Sequence, residues 1–149
     1  MEEKQIISKK RVADHGEVLT GKREVEAMVE MVKDEAARFE SRFFEPACGD
    51  GNFLAAILER KISVANSRHR KDLHNWERAV VAAVSSIYGV DIIEENASKC
   101  RSRLFGMCVK EAVSHFKDKV SQDWHKTIAY ILGKNIIWGD ALSLKTVGP

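Results

Sequence analysis

Three carboxylates in this chain each close a short apolar run: Glu45 after Phe43-Phe44, Asp91 after Tyr88-Gly89-Val90, and Asp140 after Ile136-Ile137-Trp138-Gly139. Apolar runs of this length, flanked by turn residues, read as buried strands. The acids therefore stand at three successive strand ends, the edge of an open parallel sheet where ligands bind. The first acid leads into Pro46-Ala47-Cys48-Gly49-Asp50-Gly51 and then an apolar helix beginning near Asn52. Gly49 and Gly51 have no side chain to hold a nucleotide-like ligand off the backbone. The helix start beyond them offers free N–H groups and positive potential. Glu45 would repel a pyrophosphate but attract an ammonium or a sulfonium, so the turn favours a cationic nucleoside over NAD or ATP.

A carboxylate at Asp91 can accept from both hydroxyls of a ribose. The competing reading is an acid that only caps the helix after it. Glu94 and Glu95 already sit near that helix start, which leaves Asp91 to a ligand. Asp140 can accept from an adenine amino group while the next backbone N–H donates to a ring nitrogen. Taken singly, it reads better as an exposed turn Asp beside Gly139; it is the three acids together at one sheet edge that point to a ligand. A Gly-x-Gly turn is likewise compatible with a tight strand-to-helix connection that binds nothing.

The elements that must position these groups follow from hydrophobic spacing. Val25, Met28, Val29 and Val32 predict one helix over residues 22–38, with Thr20 at the capping position. Arg42 to Glu45 is the first strand. Phe53, Leu54, Ile57, Leu58 and Ile62 predict a helix from Asn52 to about Ala65, ended by the basic loop Arg68-His69-Arg70-Lys71. A second amphipathic helix carries Leu73, Trp76, Val80, Ala83, Val84 and Ile87. Tyr88 to Ile92 is the second strand, and Glu94 to about Phe116 a long helix. Ser121 caps a shorter helix closed by Gly133, and Asn135 to Trp138 is the third strand. Strands alternating with helices imply α/β architecture with a parallel sheet. Residues 1–40 form an arm and helix, and residues 41–149 hold the three strands.

Composition narrows the class without naming it. The chain has 149 residues, 44% apolar and 31% charged, the balance of one ordinary globular domain. Its 24 basic and 22 acidic residues leave a formal charge of +2, too near neutral to argue for nucleic acid. Three cysteines, Cys48, Cys100 and Cys108, form no Cys-x-x-Cys pair and read as reduced thiols. His69, His74, His115 and His125 show no metal spacing, and no metal is expected. No apolar run reaches membrane-spanning length and the N-terminus lacks a signal-peptide layout, so a cytoplasmic protein without membrane contact is expected.

Phe44 to Leu54 resembles the first motif of class I methyltransferases, in the Asp/Glu-Pro-Ala-Cys-Gly-x-Gly-x-Phe-Leu form of the amino-group DNA methyltransferases. Gly89 to Ile92 and Gly139 to Leu142 resemble the ribose and adenine motifs of that family. His15-Gly16-Glu17-Val18-Leu19-Thr20 resembles its motif over the methionine end of the cofactor. This order is that of the N6-adenine methyltransferases of restriction-modification systems, and the resemblance spans residues 11 to 145. It implies the N-terminal half of a Rossmann-like sheet and S-adenosyl-L-methionine as cofactor. By position, Thr20 would touch the methionine carboxylate, and Glu45, Ala47, Cys48, Gly49 and Gly51 would surround the methionine and sulfonium. Asp91 and Ile92 would take the ribose, and Asp140 and Ala141 the adenine. The family's Thr-Pro is Thr20-Gly21 here, and Asp50 stands where a small residue is common.

The family's catalytic segment, Asn/Asp/Ser-Pro-Pro-Tyr/Phe, has no counterpart. The two prolines are Pro46, in the cofactor motif, and Pro149. No catalytic residue is assigned, and the chain alone is expected to bind cofactor without methylating DNA. DNA is expected to be engaged by the full-length protein. The first strand is central in the family's sheet, so its uncovered edge predicts self-association. Two alternatives remain: a noncatalytic module completed by a partner chain, and a methyltransferase acting on RNA or protein.

Overall fold

Apolar stripes at helical spacing drive the helices in the computed structural model, which describes residues 21–147. Helix α1 (Lys22–Met31) buries Val25 and Val29, but Met28 remains on the surface. The single helix expected over 22–38 is interrupted at Val32, whose backbone leaves the helical range at φ −120° and ψ 22°. Its N–H reaches back only to the Val29 carbonyl, and α2 (Lys33–Ala36) is a separate turn. Gly21 occupies the cap position of α1. Thr20 and the His15–Leu19 segment lie outside the described residues.

Strand β1 (Phe43–Glu45) is followed by α3 (Asn52–Arg68), which buries Leu54, Ile57, Leu58 and Ile62 as the spacing requires. Helix α4 (Leu73–Ser85) starts on an Asp72 cap whose carboxylate accepts from the Asn75 N–H. Ile87, expected in that helix, instead opens β2 (Ile87–Asp91): the Ser86 hydroxyl donates to the Ala83 carbonyl and closes the helix before it. Helix α5 (Glu94–Phe116) has the predicted bounds. Helix α6 (Gln122–Asn135) starts on the Ser121 cap but runs through Gly133 rather than ending there. Leu132 and Ile136 are both buried, so packing holds the helix until it passes directly into β3 (Ile136–Asp140).

The sheet runs β1-β2-β3-β4. The first three strands are parallel, with Glu45 opposite Gly89, Gly89 opposite Ile136 and Asp91 opposite Trp138. A two-residue strand, β4 (Lys145–Thr146), folds back antiparallel on β3 and makes the sheet mixed. That hairpin corrects the all-parallel expectation. It forms because Asp140 accepts the Leu142 N–H and turns the chain, with Leu144 in a left-handed conformation at φ 59°. The architecture is thus α/β, with six helices and a small mixed sheet among the described residues.

Trp76 is fully buried at the centre of the helical layer, 5.2 Å from the Phe116 ring and 5.6 Å from Trp124. It joins α4, the end of α5 and α6, and its indole N–H donates to Asn66 on α3. Fully burying side chains of this size contributes about 2–3 kcal/mol each. A three-residue strand such as β1 cannot match that, so the helices hold the strand ends in place.

Candidate cofactor site

Register decides how the three acids stand. Asp91 lies two residues beyond the level of Glu45, and Asp140 two residues beyond the level of Asp91. Side chains alternate with period two, so steps of two keep all three positions on one face of the sheet. Each step advances about 6.6 Å along the strands. The acids form a staircase rather than a cluster, a shape suited to an elongated ligand.

Between the first two steps lies the turn. Gly49 and Gly51 adopt left-handed conformations, φ 57° and 94°. These are costly for residues bearing a Cβ. At Gly51 a Cβ would also lie 2.8 Å from the Cys100 sulfur on α5. Gly89 matters through close approach: a Cβ there would sit 2.9 Å from Leu54 Cδ1 and 3.0 Å from Cys48 Cβ. The bare centre of β2 therefore lets α3 and the turn settle against the strand. The Cys48 N–H donates to the Val90 carbonyl at 2.9 Å, carrying the β1–β2 pairing into the turn.

Asp91 ties this arrangement together. It is only 8% exposed. One carboxylate oxygen accepts the Gly49 N–H at 2.9 Å, and the other accepts the Ile93 N–H at 2.8 Å and the Asn96 amide at 3.3 Å. No side chain of the helix's own cap residue closes α5. Asp91, not Glu94 or Glu95, does that work, which corrects the expectation that Asp91 is spare. An ionised carboxylate has about four acceptor positions, so about one remains for a ligand.

Glu45 and Asp140 are bound more locally. Glu45 accepts the Ala47 N–H at 3.3 Å. Asp140 accepts the Leu142 N–H at 3.0 Å. That hydrogen bond, then the Ser143 hydroxyl, holds its carboxyl below the usual range. Ala141 and the exposed Leu142 lie in the same turn. Ile92 is half exposed beside Asp91, and its carbonyl accepts the Trp138 indole N–H at 2.9 Å. That contact joins the second and third steps. Ala47 is exposed and Cys48 buried beneath it.

Three contributors went unnoticed in the sequence. Arg103 on α5 donates to the Asn52 side chain at 2.7 Å and lies 3.9 Å from the Asp50 carboxylate. It draws the extra charge of Asp50 toward α5. Asn96 completes the Asp91 cage. Lys61 is fully buried, and its ammonium donates to the carbonyls of Arg38, Phe39 and Ser41, fixing the loop that delivers β1. Burial pushes its pKa down to about 8. Lys61 occupies the apolar stripe between Leu58 and Ile62, and that misplaced charge was the available signal.

The Arg68–Lys71 loop is largely exposed. No group of three or more His, Cys, Asp or Glu is placed to hold a metal ion among the described residues, and no helix there is long and apolar enough to cross a membrane. A groove of about 790 Å³ lies between α1, α3 and α5, lined by Glu26, Glu59, Arg60 and Lys110 among others, and none of the three strand-end acids borders it. No family model, curated protein or solved structure matches the chain.

Proposed function

We propose that this chain is the S-adenosyl-L-methionine-binding part of a DNA adenine-N6 methyltransferase of the restriction-modification or phage-related kind. The observation that carries the reading is the strand-end acid Glu45 followed by a turn with two left-handed glycines, its Gly49 N–H held by Asp91. A phosphate-binding turn would not open on a carboxylate, whereas a sulfonium and an ammonium are drawn to one. The first turn of α3 holds no acidic residue, and its cap position is the side-chain-less Gly51, which suits a ligand carboxylate nearby. On this reading β1, β2 and β3 are the N-terminal half of a Rossmann-like sheet.

Bound there, the cofactor would supply an electrophilic methyl group for the adenine amino nitrogen. Glu45 would face the methionine end, Asp91 with its remaining acceptor position the ribose, and Asp140 with the Ala141 N–H the adenine. Positioning in line, rather than proton transfer, would be the contribution of this half. Methyl transfer is not assigned to the chain alone, because it carries no Pro-Pro-Tyr-like segment.

A second reading draws on β1. Its outer edge has no strand partner among the described residues, and Phe44 on it is 59% exposed. This favours a cofactor-binding module whose sheet and acceptor site are completed by another chain or by a second copy. The cytoplasm is the setting that either reading requires.

Calorimetric titration with adenosylmethionine, NAD and ATP tests the proposal. Binding of adenosylmethionine alone is the expected result. Binding of NAD or ATP in its place would refute it.

A further inference from the structure

Two of the three cysteines meet under the glycine turn. Cys48 belongs to the turn itself, and its carbonyl accepts the Gly51 N–H at 3.0 Å. Gly51 in turn rests on Cys100 of α5, so closely that a Cβ would lie 2.8 Å from its sulfur and 3.6 Å from its Cα. Gly51 is thus the common neighbour of the two residues, and their thiols shift each other's pKa in opposite directions, Cys48 up and Cys100 down. Both are unoxidised, as is Cys108 farther along α5. A structural thiol pair could be packing alone, but this one bridges two elements 52 residues apart (100 − 48) in sequence, at the point where the proposed ligand meets the backbone.

We propose that Cys48 and Cys100 are a reversible redox pair that ties the glycine turn to α5 when a hydroperoxide oxidises it, and that this closure weakens cofactor binding. The inference about the ligand rests on the cofactor reading above; the cross-link itself does not.

The chemistry balances with hydrogen peroxide as oxidant. One sulfur, as thiolate, attacks a peroxide oxygen; the O–O bond breaks, a sulfenic acid forms, and the departing hydroxide takes a proton to become water. The second sulfur attacks the sulfenic sulfur, the S–S bond forms, and its hydroxyl leaves with a proton as a second water. Two thiols and one peroxide thus become one disulfide and two waters. The neighbouring Cys48 thiol lowers the Cys100 pKa against the opposing effect of burial, and the Arg103 and Arg101 charges act in the same direction, so Cys100 is the better thiolate. Cys48 is 6% exposed, whereas Cys100 and Cys108 are fully buried, so the turn is the side of the pair nearer to solvent.

Closure cannot leave the turn unchanged. A disulfide brings its sulfurs to about 2.05 Å. Cys100 is wedged against Gly51, and Cys48 against Gly89. Pulling the sulfurs together must shift the turn or the adjoining turn of α5. Either shift disturbs the Gly49 N–H held by Asp91 and the first residues of α3.

The test treats the full chain with stoichiometric hydrogen peroxide. Peptide mapping should find a Cys48–Cys100 cross-link that dithiothreitol reverses, present also in Cys108→Ala and lost in Cys48→Ala and Cys100→Ala. Adenosylmethionine affinity should fall by about tenfold or more on oxidation and return on reduction. Over-oxidation to sulfinic acid without a cross-link, pairing through Cys108, or a cross-linked chain with unaltered affinity would each overturn the proposal. If the cysteine variants do not fold, the wild-type map decides whether the bond forms. If the reduced chain fails to bind adenosylmethionine, the cofactor reading falls. Amide exchange at Gly49 and Gly51 then decides the latch: altered protection in the cross-linked chain supports it, and unaltered protection overturns it.

Discussion

The glycine turn and the β3–β4 hairpin each offer a carboxylate at a strand end, yet they are held in opposite ways. Around the turn, Asp91 draws donors from the turn, from its own helix start and from Asn96, and Cys48, Gly51, Cys100 and Arg103 lock α3 and α5 around it. At the hairpin, Asp140 accepts only from within its own turn among the described residues, and Leu142 and Leu144 stand almost fully exposed. One end of the staircase is preorganised by long-range contacts, and the other by local ones. For a ligand spanning both, the methionine and ribose end would meet a fixed surface. The adenine end would meet a turn whose acid must be shared with the backbone.

The largest effect that can break this contrast is at Gly51. Gly51→Ala forces a Cβ into the Cys100 sulfur and into a left-handed backbone, and should cost about 2–4 kcal/mol by chemical denaturation. Loss of under half a kcal/mol would mean that the turn is looser than described. Asp91→Ala leaves the Gly49 and Ile93 N–H groups and the Asn96 amide without their acceptor, for about 2–3 kcal/mol. A binding loss in that variant therefore needs its stability measured beside it. Asp91→Asn, which keeps one acceptor oxygen, should recover part of the stability.

Lys61 sharpens the contrast through pH. Its folded-state pKa of about 8 lies below the roughly 10.4 of an unfolded lysine. Between these values the unfolded chain binds more protons, so this group makes stability rise with pH across about 8 to 10.4. Urea midpoints measured across that window should show the rise, and Lys61→Met should flatten it. The same substitution strips three carbonyls of their donor and should cost about 2 kcal/mol at pH 7.

Smaller effects lie at the edges. The uncovered side of β1 should produce dimers or larger species in light scattering, and Phe44→Lys should shift the distribution toward monomer. A wild-type chain that is monodisperse and monomeric would count against that edge as a pairing site. Asp140→Ala should loosen the hairpin and lower the denaturation midpoint only slightly, because the lost contact is local, while weakening adenosylmethionine binding. A large loss of stability instead would show that the hairpin is bound into the fold after all.

Much of the α/β frame was legible because its signals are periodic. The stripes of α3, α4 and α5 and the apolar runs of β2 and β3 state their own burial. Elsewhere tertiary packing overrides a local signal: Gly133 does not stop α6, and Ile87 leaves the helix for the sheet. The acids were visible as strand-end residues, but their partners were not. Nothing local says that Asp91 reaches back to Gly49, 42 residues away, or that Cys100 lies under Gly51. Lys61 was overlooked for the same reason: a cation on an apolar stripe needs acceptors, and those carbonyls come from the loop before β1.

On the proposed reading a sulfonium nucleoside binds along the strand-end staircase and not in the groove between α1, α3 and α5. Amide chemical-shift mapping of the isotope-labelled chain during titration with adenosylmethionine tests it most directly. Saturable shifts are expected at Gly49, Gly51, Asp91, Ile92 and Ala141, with Glu59 and Lys110 unmoved. Shifts confined to the groove residues, or none at saturating ligand, would contradict it.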